Sequence, residues 1–550
     1  MIHLRKALSK YKVSELCFGI FLFLAAVYMS FICYCDTISG DEYFSVGFAN
    51  NTEDFLFLTG STLNDYSSDG WIDGEFLNEY LTVQEGERFA ILDIHRNVRD
   101  DVHPPLYFML LNVLSSFFID EIPYFAGFFI NVISGILICV FLYMIGRKIF
   151  RNQWLAMAAP ILWVGTSGAE VLLTYLRMYA PLSALCLICI YLHVLFFEKE
   201  KVSKWLYISL AVCTMIGTLT HYYFYIMLAV IGVISTIRLF YQKKIKKFMI
   251  YALSHAGGWA IAFMAYPYVF EHVLFSERSV GAQASEKSDG LNYYINFARQ
   301  FKNTIDEFVY SNHLVSVIVA FIFLCVIAGI VALCRRNKDI EVIDGGIFAA
   351  KESKVTFGVI GCYALLYLLI LLKISYSSRW LYLSPTFPLL ILLTVGTFAW
   401  ALEKIEKGNK YSYLLLAIGI VITMYSVKMH AQEDAEAHAI RTQRHEAITA
   451  YSESCDAIFY YTKWNNLYNN QIQELMEFDQ IYSINIAEVE TADYTTILDN
   501  RRQNRDLVVY IPIETDDYEQ KAQSLAQEIG TGELTVIVED TFAVYYIDVE

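Results

Sequence analysis

The run LYFMLLNVLSSFFI, residues 106–119, decides how the rest of the chain is read. It is apolar enough for a membrane but only fourteen residues long, and a helix needs about 20 to span the hydrocarbon. Eleven other apolar stretches are candidate spans: 14–35, 124–146, 153–170, 178–197, 205–220, 222–240, 248–271, 313–334, 356–373, 380–401 and 411–428. Between them, basic residues gather in six clusters. The first is Arg5, Lys6, Lys10 and Lys12, and the others centre on Lys148, Lys201, Lys244, Arg336 and Lys407. If residues 106–119 lie flat at the interface, all six clusters share one side, which the positive-inside rule makes cytoplasmic. If they cross, every cluster after the first flips outside. The flat reading predicts about eleven transmembrane helices, a cytoplasmic N-terminus and an extracytoplasmic C-terminal region.

Composition supports a membrane class. The chain is 56% apolar and 16% aromatic, with mean hydropathy +0.40, whereas soluble domains sit near 45–50% apolar. The net charge of −16 is unevenly spread. Residues 430–550 hold 7 Lys/Arg against 24 Asp/Glu, and loop 36–104 holds 3 against 15, so the remainder is basic. Two acidic, water-facing regions therefore flank a basic membrane part, and such surfaces repel nucleic acid phosphates. Ten of the eleven cysteines lie in or beside apolar segments, with only Cys455 in the tail, and no disulfide framework is readable. The first apolar stretch is too long for a signal-peptide core and reads as a retained anchor.

The expected organisation is an anchor helix at 1–35, an external loop with juxtamembrane helices at 36–123, a transmembrane domain at 124–429 and an acidic α/β domain at 430–550. In the tail, strand-like runs fall at 456–461, 481–486, 507–512, 534–539 and 542–549, with helical stretches near 433–452, 465–478 and 517–529. The order of the strands is not readable. Tyr460, Tyr461, Trp464 and Tyr468 would suit carbohydrate stacking, and a small domain core explains the aromatics equally well.

On the external side, polar residues collect at the ends of separate segments. Asp41-Glu42 follows the first span closely, and a carboxylate there could serve as a general base or simply face solvent. His103-Pro104-Pro105 opens the short apolar run, a place where proline also suits an ordinary helix start. Arg177, with Tyr179 just after it, joins two spans with almost no loop. It could bind phosphate in a bidentate fork, snorkel to the interface, or pair with Glu170. His221-Tyr222-Tyr223 and Ser378-Arg379-Trp380 carry the same ambiguity. Ionisable residues at such positions are otherwise rare.

Taken in order, Gly40-Asp41-Glu42, Asp101-Val102-His103-Pro104-Pro105-Leu106-Tyr107, Glu170 through Arg177-Met178-Tyr179, His221-Tyr222-Tyr223 and Ser378 through Tyr382 resemble the GT-C glycosyltransferases. The similarity lies closest to bacterial protein O-mannosyltransferases and aminoarabinose transferases, and covers roughly residues 10–400. The resemblance implies a GT-C membrane fold and a polyprenyl-phosphate-linked sugar as donor. The sugar would pass with inversion to a glycan, lipid or protein acceptor outside the cytoplasm. It also implies Asp41 as general base, Glu42 as its support, and Asp101 and His103 as acceptor-positioning residues. Arg177, Tyr179, His221 and Arg379 would hold the donor phosphate. Relatives often carry an acid nearer the arginine than Glu170, and no Asp-x-Asp pair stands in the short external turns. A metal-free mechanism is therefore expected, although Asp41 and Glu42 with Asp100 or Asp101 could hold a divalent cation. A lipid-linked-sugar flippase and a non-catalytic membrane scaffold are the competing classes. Polar residues gathered on one face, not at the midplane, favour the transferase.

Overall fold

The computed structural model describes residues 13–32, 38, 40–52, 60–99, 101, 103–274, 291–335, 346–374, 380–405, 410–462, 471–489, 491–501, 505–515, 517–530, 532–540 and 542–549. Each of the eleven apolar stretches lies mainly on helix over its described residues. Among the described residues, eight helices are long and apolar enough to cross a membrane, and up to ten if two bent pairs each count as one span. The apolar Lys204–Thr220 helix, 17 residues long, is shorter than these, and the run at 106–119 forms the ten-residue helix Leu106–Ser115.

Two bends depart from straight spans, and both have local causes. The stretch read as one span at 153–170 is two helices, Gln153–Val164 and Ser167–Thr174, meeting at 60°. Gly165 ends the first, and the Thr166 hydroxyl accepts from Ala169 N–H to start the second, which satisfies backbone groups that a bend exposes. The Leu314–Arg335 helix is joined to the preceding one at 80°. Ser311 and Asn312 stand there at φ of 47° and 64°, left-handed values that stop a helix. Asp306 then accepts from Leu314 N–H at 2.9 Å. Conversely, the span at 411–428 and the helix expected at 433–452 are one 40-residue helix, Lys410–Thr449. No glycine or proline stands between residues 428 and 433 to interrupt it.

By internal packing the chain divides into two compact units. One comprises Met1–Tyr34, Val98–Tyr107 and Gly127–Ala431; the other comprises Cys35–Asn97, Phe108–Ala126 and Gln432–Glu550. The two acidic regions of the sequence are thus parts of one body.

That second unit is built on a five-stranded sheet: β1 (Cys455–Tyr461), β2 (Ile481–Asn485), β3 (Asp506–Pro512), β4 (Leu534–Glu539) and β5 (Phe542–Ile547), in the order β2-β1-β3-β5-β4. The first three are parallel and the last two pair antiparallel. All five strands expected from the sequence are present. β1 and β3 are buried almost throughout, as expected of parallel strands covered on both faces. The first loop completes this domain. Ile72 bridges Ile481 on the edge strand β2, and Asn64 exchanges two hydrogen bonds with the Ser483 backbone at 2.7 and 3.0 Å. Trp71 enters the core beside Ile484 and Leu507, its indole N–H donating to Ile497 O at 2.9 Å. Tyr460 is also core, its hydroxyl 2.8 Å from that of Tyr494, so it presents no stacking face. Trp464 and Tyr468 lie outside the described residues.

Candidate active site

In the membrane unit, five of the residues singled out from sequence meet. Asp101 and His103 lie on the strip that leads into the Pro104-Pro105 helix start. His103 Nδ1 is 2.6 Å from Asp101 Oδ2, and its Nε2 is 3.5 Å from Arg177 Nη2. Arginine only donates, so Nε2 faces it as the acceptor and Nδ1 carries the proton given to Asp101. The His221 ring lies 5.8 Å from that of His103 and 5.2 Å from that of Tyr179. Asp101, Arg177, Tyr179 and His221 are all buried.

His221 ends the Lys204–Thr220 helix. Its Nδ1 accepts from Tyr223 N–H at 3.0 Å, which places the ring proton on Nε2. Among the described residues Nε2 has no hydrogen-bond partner. Burial, then the neighbouring His103 and Arg177, hold the imidazole pKa well below its ordinary value. The ring is therefore a neutral donor, buried beside a guanidinium.

Further residues, some quoted from sequence only as neighbours within the motifs and the rest not singled out, hold the cluster in place. Asn131, on the Tyr124–Ile149 helix, donates to Leu173 O at 2.9 Å and Tyr175 O at 2.8 Å. It thereby ties down the helix break that presents Arg177. Gly127 admits Leu176 so closely that a Cβ would stand 2.5 Å from its methyl. The strip before Asp101 is pinned by Tyr266, which donates to Val98 O at 2.8 Å, and by His272 Nε2, which donates to Arg99 O at 2.7 Å. His272 Nδ1 in turn accepts from Tyr222 at 2.8 Å. Tyr223 meets Tyr382 edge-on at 4.9 Å, and the Tyr382 carbonyl accepts from Tyr367 at 3.0 Å. A histidine or asparagine inside an apolar run was the available signal, but such a residue looks the same whether it braces a site or merely satisfies the backbone.

Glu170 pairs with His430 at 2.9 Å. Arg379 and Asp100 lie outside the described residues. Within the spans a second polar group appears: His193 Nε2 stands 3.0 Å from the Tyr251 hydroxyl, and His255 Nδ1 2.7 Å from Thr214. The polar residues are therefore not all gathered on one face.

Asp41 and Glu42 belong to the other unit, in the first turn of the Asp41–Asn50 helix. Gly40 precedes them at φ 48°. The helix is buried from Glu42 to Asn50 and braced by asparagines. Asn50 donates to Leu81 O at 2.7 Å, Asn97 to Phe48 O at 3.2 Å, and Asn112 to Ala49 O at 2.9 Å. Gly47 lies against the Tyr80 hydroxyl, 2.1 Å from where a Cβ would be. A carboxylate at a rigid helix N-terminus is well placed electrostatically and well fixed in direction.

These features define a polytopic helical membrane protein with a buried, donor-rich cluster and a small sheet domain. Residues 102–266 match the family model of dolichyl-phosphate-mannose-protein mannosyltransferases. In fold the chain is similar to ArnT from Cupriavidus metallidurans bound to undecaprenyl phosphate, at TM-score 0.52 and 10% identity, over 97% of this chain and 98% of that one. It also matches the apo state of ArnT at TM-score 0.45 and 10% identity, over 91% and 95% of the two chains. The archaeal oligosaccharyltransferase AglB from Archaeoglobus fulgidus, in complex with an inhibitory peptide and a dolichol-phosphate, matches at TM-score 0.43 and 11% identity, over 94% and 72%. The sequences of curated proteins give no match. The resemblance read from the ordered motifs is thus met by the family model over its central part and by the fold over nearly the whole chain.

Proposed function

We propose that the protein is a glycosyltransferase that moves a sugar from a polyprenyl-phosphate donor to an acceptor hydroxyl or amine outside the cytoplasm. In this reading the N-terminus is cytoplasmic and the sheet domain extracytoplasmic. The observation that carries the proposal is the nearness of buried Arg177 to a neutral His221 whose Nε2–H has no partner among the described residues. A phosphate offers acceptor oxygens to both, and Arg177 also supplies its charge. ArnT, the structure that shares this fold, was solved with undecaprenyl phosphate.

The acceptor oxygen or nitrogen attacks the anomeric carbon and loses its proton to the Asp41 carboxylate. The bond from that carbon to the phosphate oxygen breaks, and its electron pair stays on the phosphate, inverting the configuration. Arg177 and His221, with Tyr179 beside them and Arg379 as a further contributor, hold the phosphate as its charge grows. Asp101 fixes the His103 ring, and the two position the acceptor. Glu42 supports the base. The reaction as written needs no metal.

The test is transfer in membranes from radiolabelled polyprenyl-phosphate sugars, comparing wild type with Asp41→Asn at matched expression, with and without EDTA. Turnover lost in Asp41→Asn and kept in EDTA is the expected result. Turnover indifferent to Asp41→Asn would sink the base assignment, and loss in EDTA would sink the metal-free one.

A further inference from the structure

The sheet unit carries its own pocket, about 570 Å³ in volume. It opens at the edge where the three parallel strands begin. Asp456 lies at the start of β1, Gln480 just before β2 and Arg505 just before β3. Asp73, Gly74 and Glu75, at the start of the Gly74–Leu81 helix of the first loop, form another wall. That wall is firmly attached. Ile72 N–H donates to Ile481 O at 3.0 Å, and Gly74 N–H to Phe478 O at 2.9 Å. A Cβ on Gly74 would stand 2.1 Å from Met476 O, so only glycine fits.

At the base sits Asp456, 1% exposed, and neither carboxylate oxygen has a hydrogen-bond partner among the described residues. Arg505, the guanidinium that lines the pocket, lies 2.6 Å from Asp479. Burial pushes the Asp456 carboxyl up to about 6, with Arg501 and Arg505 opposing and Asp479 adding. Buried acceptors without donors are rare and costly in native proteins. Asp73, Glu75, Asp456, Glu477 and Asp479 face one arginine across the cavity. That balance rejects anions and leaves a neutral ligand unable to offset the charge.

We propose that this pocket binds a small ligand through a primary ammonium group that donates to the Asp456 carboxylate. An ammonium has three donors and no acceptor, which matches the excess of carboxylate acceptors lining the pocket. The Asn78 and Gln480 amides line the pocket for any hydroxyls the ligand carries, and Phe478 lines it for its apolar face. This inference does not rest on the transferase reading.

The test is calorimetric titration of the full-length protein in detergent with glucosamine, glucose, Nα-acetyl-lysine amide and calcium chloride. Glucosamine and the lysine amide should bind and glucose should not. The ratio of the first two affinities separates an amino-sugar source from a lysine source. Asp456→Asn, which keeps the shape and removes the charge, should weaken ammonium binding by roughly tenfold or more. Glu477→Gln should weaken it less. Equal binding of glucose and glucosamine, binding of calcium alone, unchanged binding in Asp456→Asn, or no binding of any probe would each overturn the proposal.

Discussion

The candidate sites of the membrane unit and of the sheet unit each bury an open polar group, and the two groups are of opposite kind. In the membrane unit's cluster, an open group among the described residues is a donor, His221 Nε2–H, near the Arg177 guanidinium. In the sheet unit's pocket, an open group among the described residues is an acceptor, the Asp456 carboxylate, set among other acids. Other buried charges among the described residues are closed by a partner. Glu170 pairs with His430 in the membrane unit, and Arg444 forks onto Glu474 at 2.6 and 3.2 Å in the sheet unit. The lesson is that burial alone does not mark a site. An open donor beside positive charge suits an anion, an open acceptor beside negative charge suits a cation, and a closed pair suits neither.

The largest expected effect separates open from closed groups by activity. Arg177→Ala should lower transfer by roughly 10²–10³-fold, the usual cost of removing one charge-stabilising donor. Arg177→Lys should recover part of it as a point charge. Normal turnover in Arg177→Ala would remove the distinction on the membrane side. Next comes the closed pair. Arg444→Met should cost about 3–5 kcal/mol of stability by stranding Glu474, while Arg444→Met with Glu474→Leu should recover most of it. Denaturant melts of the purified protein measure both; equal melts for single and double variants would mean that the pair is not closed.

His221→Gln tests the open donor more finely. The folded ring stays neutral, whereas an unfolded histidine takes up a proton near pH 6.5. As pH falls below about 6.5 the unfolded state therefore binds the extra proton, and stability drops. The variant should flatten that acid arm of the thermal midpoint while reducing transfer, and an unchanged acid arm would refute the neutral assignment. The smallest effect is Asp456→Asn. Here the folded carboxyl keeps its proton up to about 6, above its ordinary 3.8. Stability contributed by this group is present below about 4 and lost as pH rises to about 6. Removing the charge should raise stability at pH 7 by about 1 kcal/mol, allowing for partial solvent screening. Differential scanning at pH 4 and pH 7 reads the change, and no difference between the two would contradict it.

Much of this was legible in the chain. Apolar length located the helices because a helix in hydrocarbon must close its own backbone bonds. The five tail strands showed as short β-branched and aromatic runs between turn residues. Asp101, His103, Arg177 and His221 showed because charge at a membrane edge is conspicuous. The bends near Thr166 and Asn312 did not show, since caps and single left-handed residues leave the hydropathy unchanged. Nor did the bracing by Asn131, Tyr266 and His272, or the joining of Asn64 and Trp71 to a domain some 400 residues away. Pairings at that separation have no local periodicity to announce them.

That last joining has a consequence for biogenesis. Ile72 is made long before Ile481, and at roughly 5–20 residues per second the gap between them takes roughly 20–80 seconds to synthesise. Throughout that interval Trp71 has no core to enter, and the first loop waits as an unfinished surface. The early loop therefore keeps its apolar face uncovered until the strands of the tail have been made. A truncation before β2 would leave that loop permanently sticky, a harsher outcome than the mere loss of a tail.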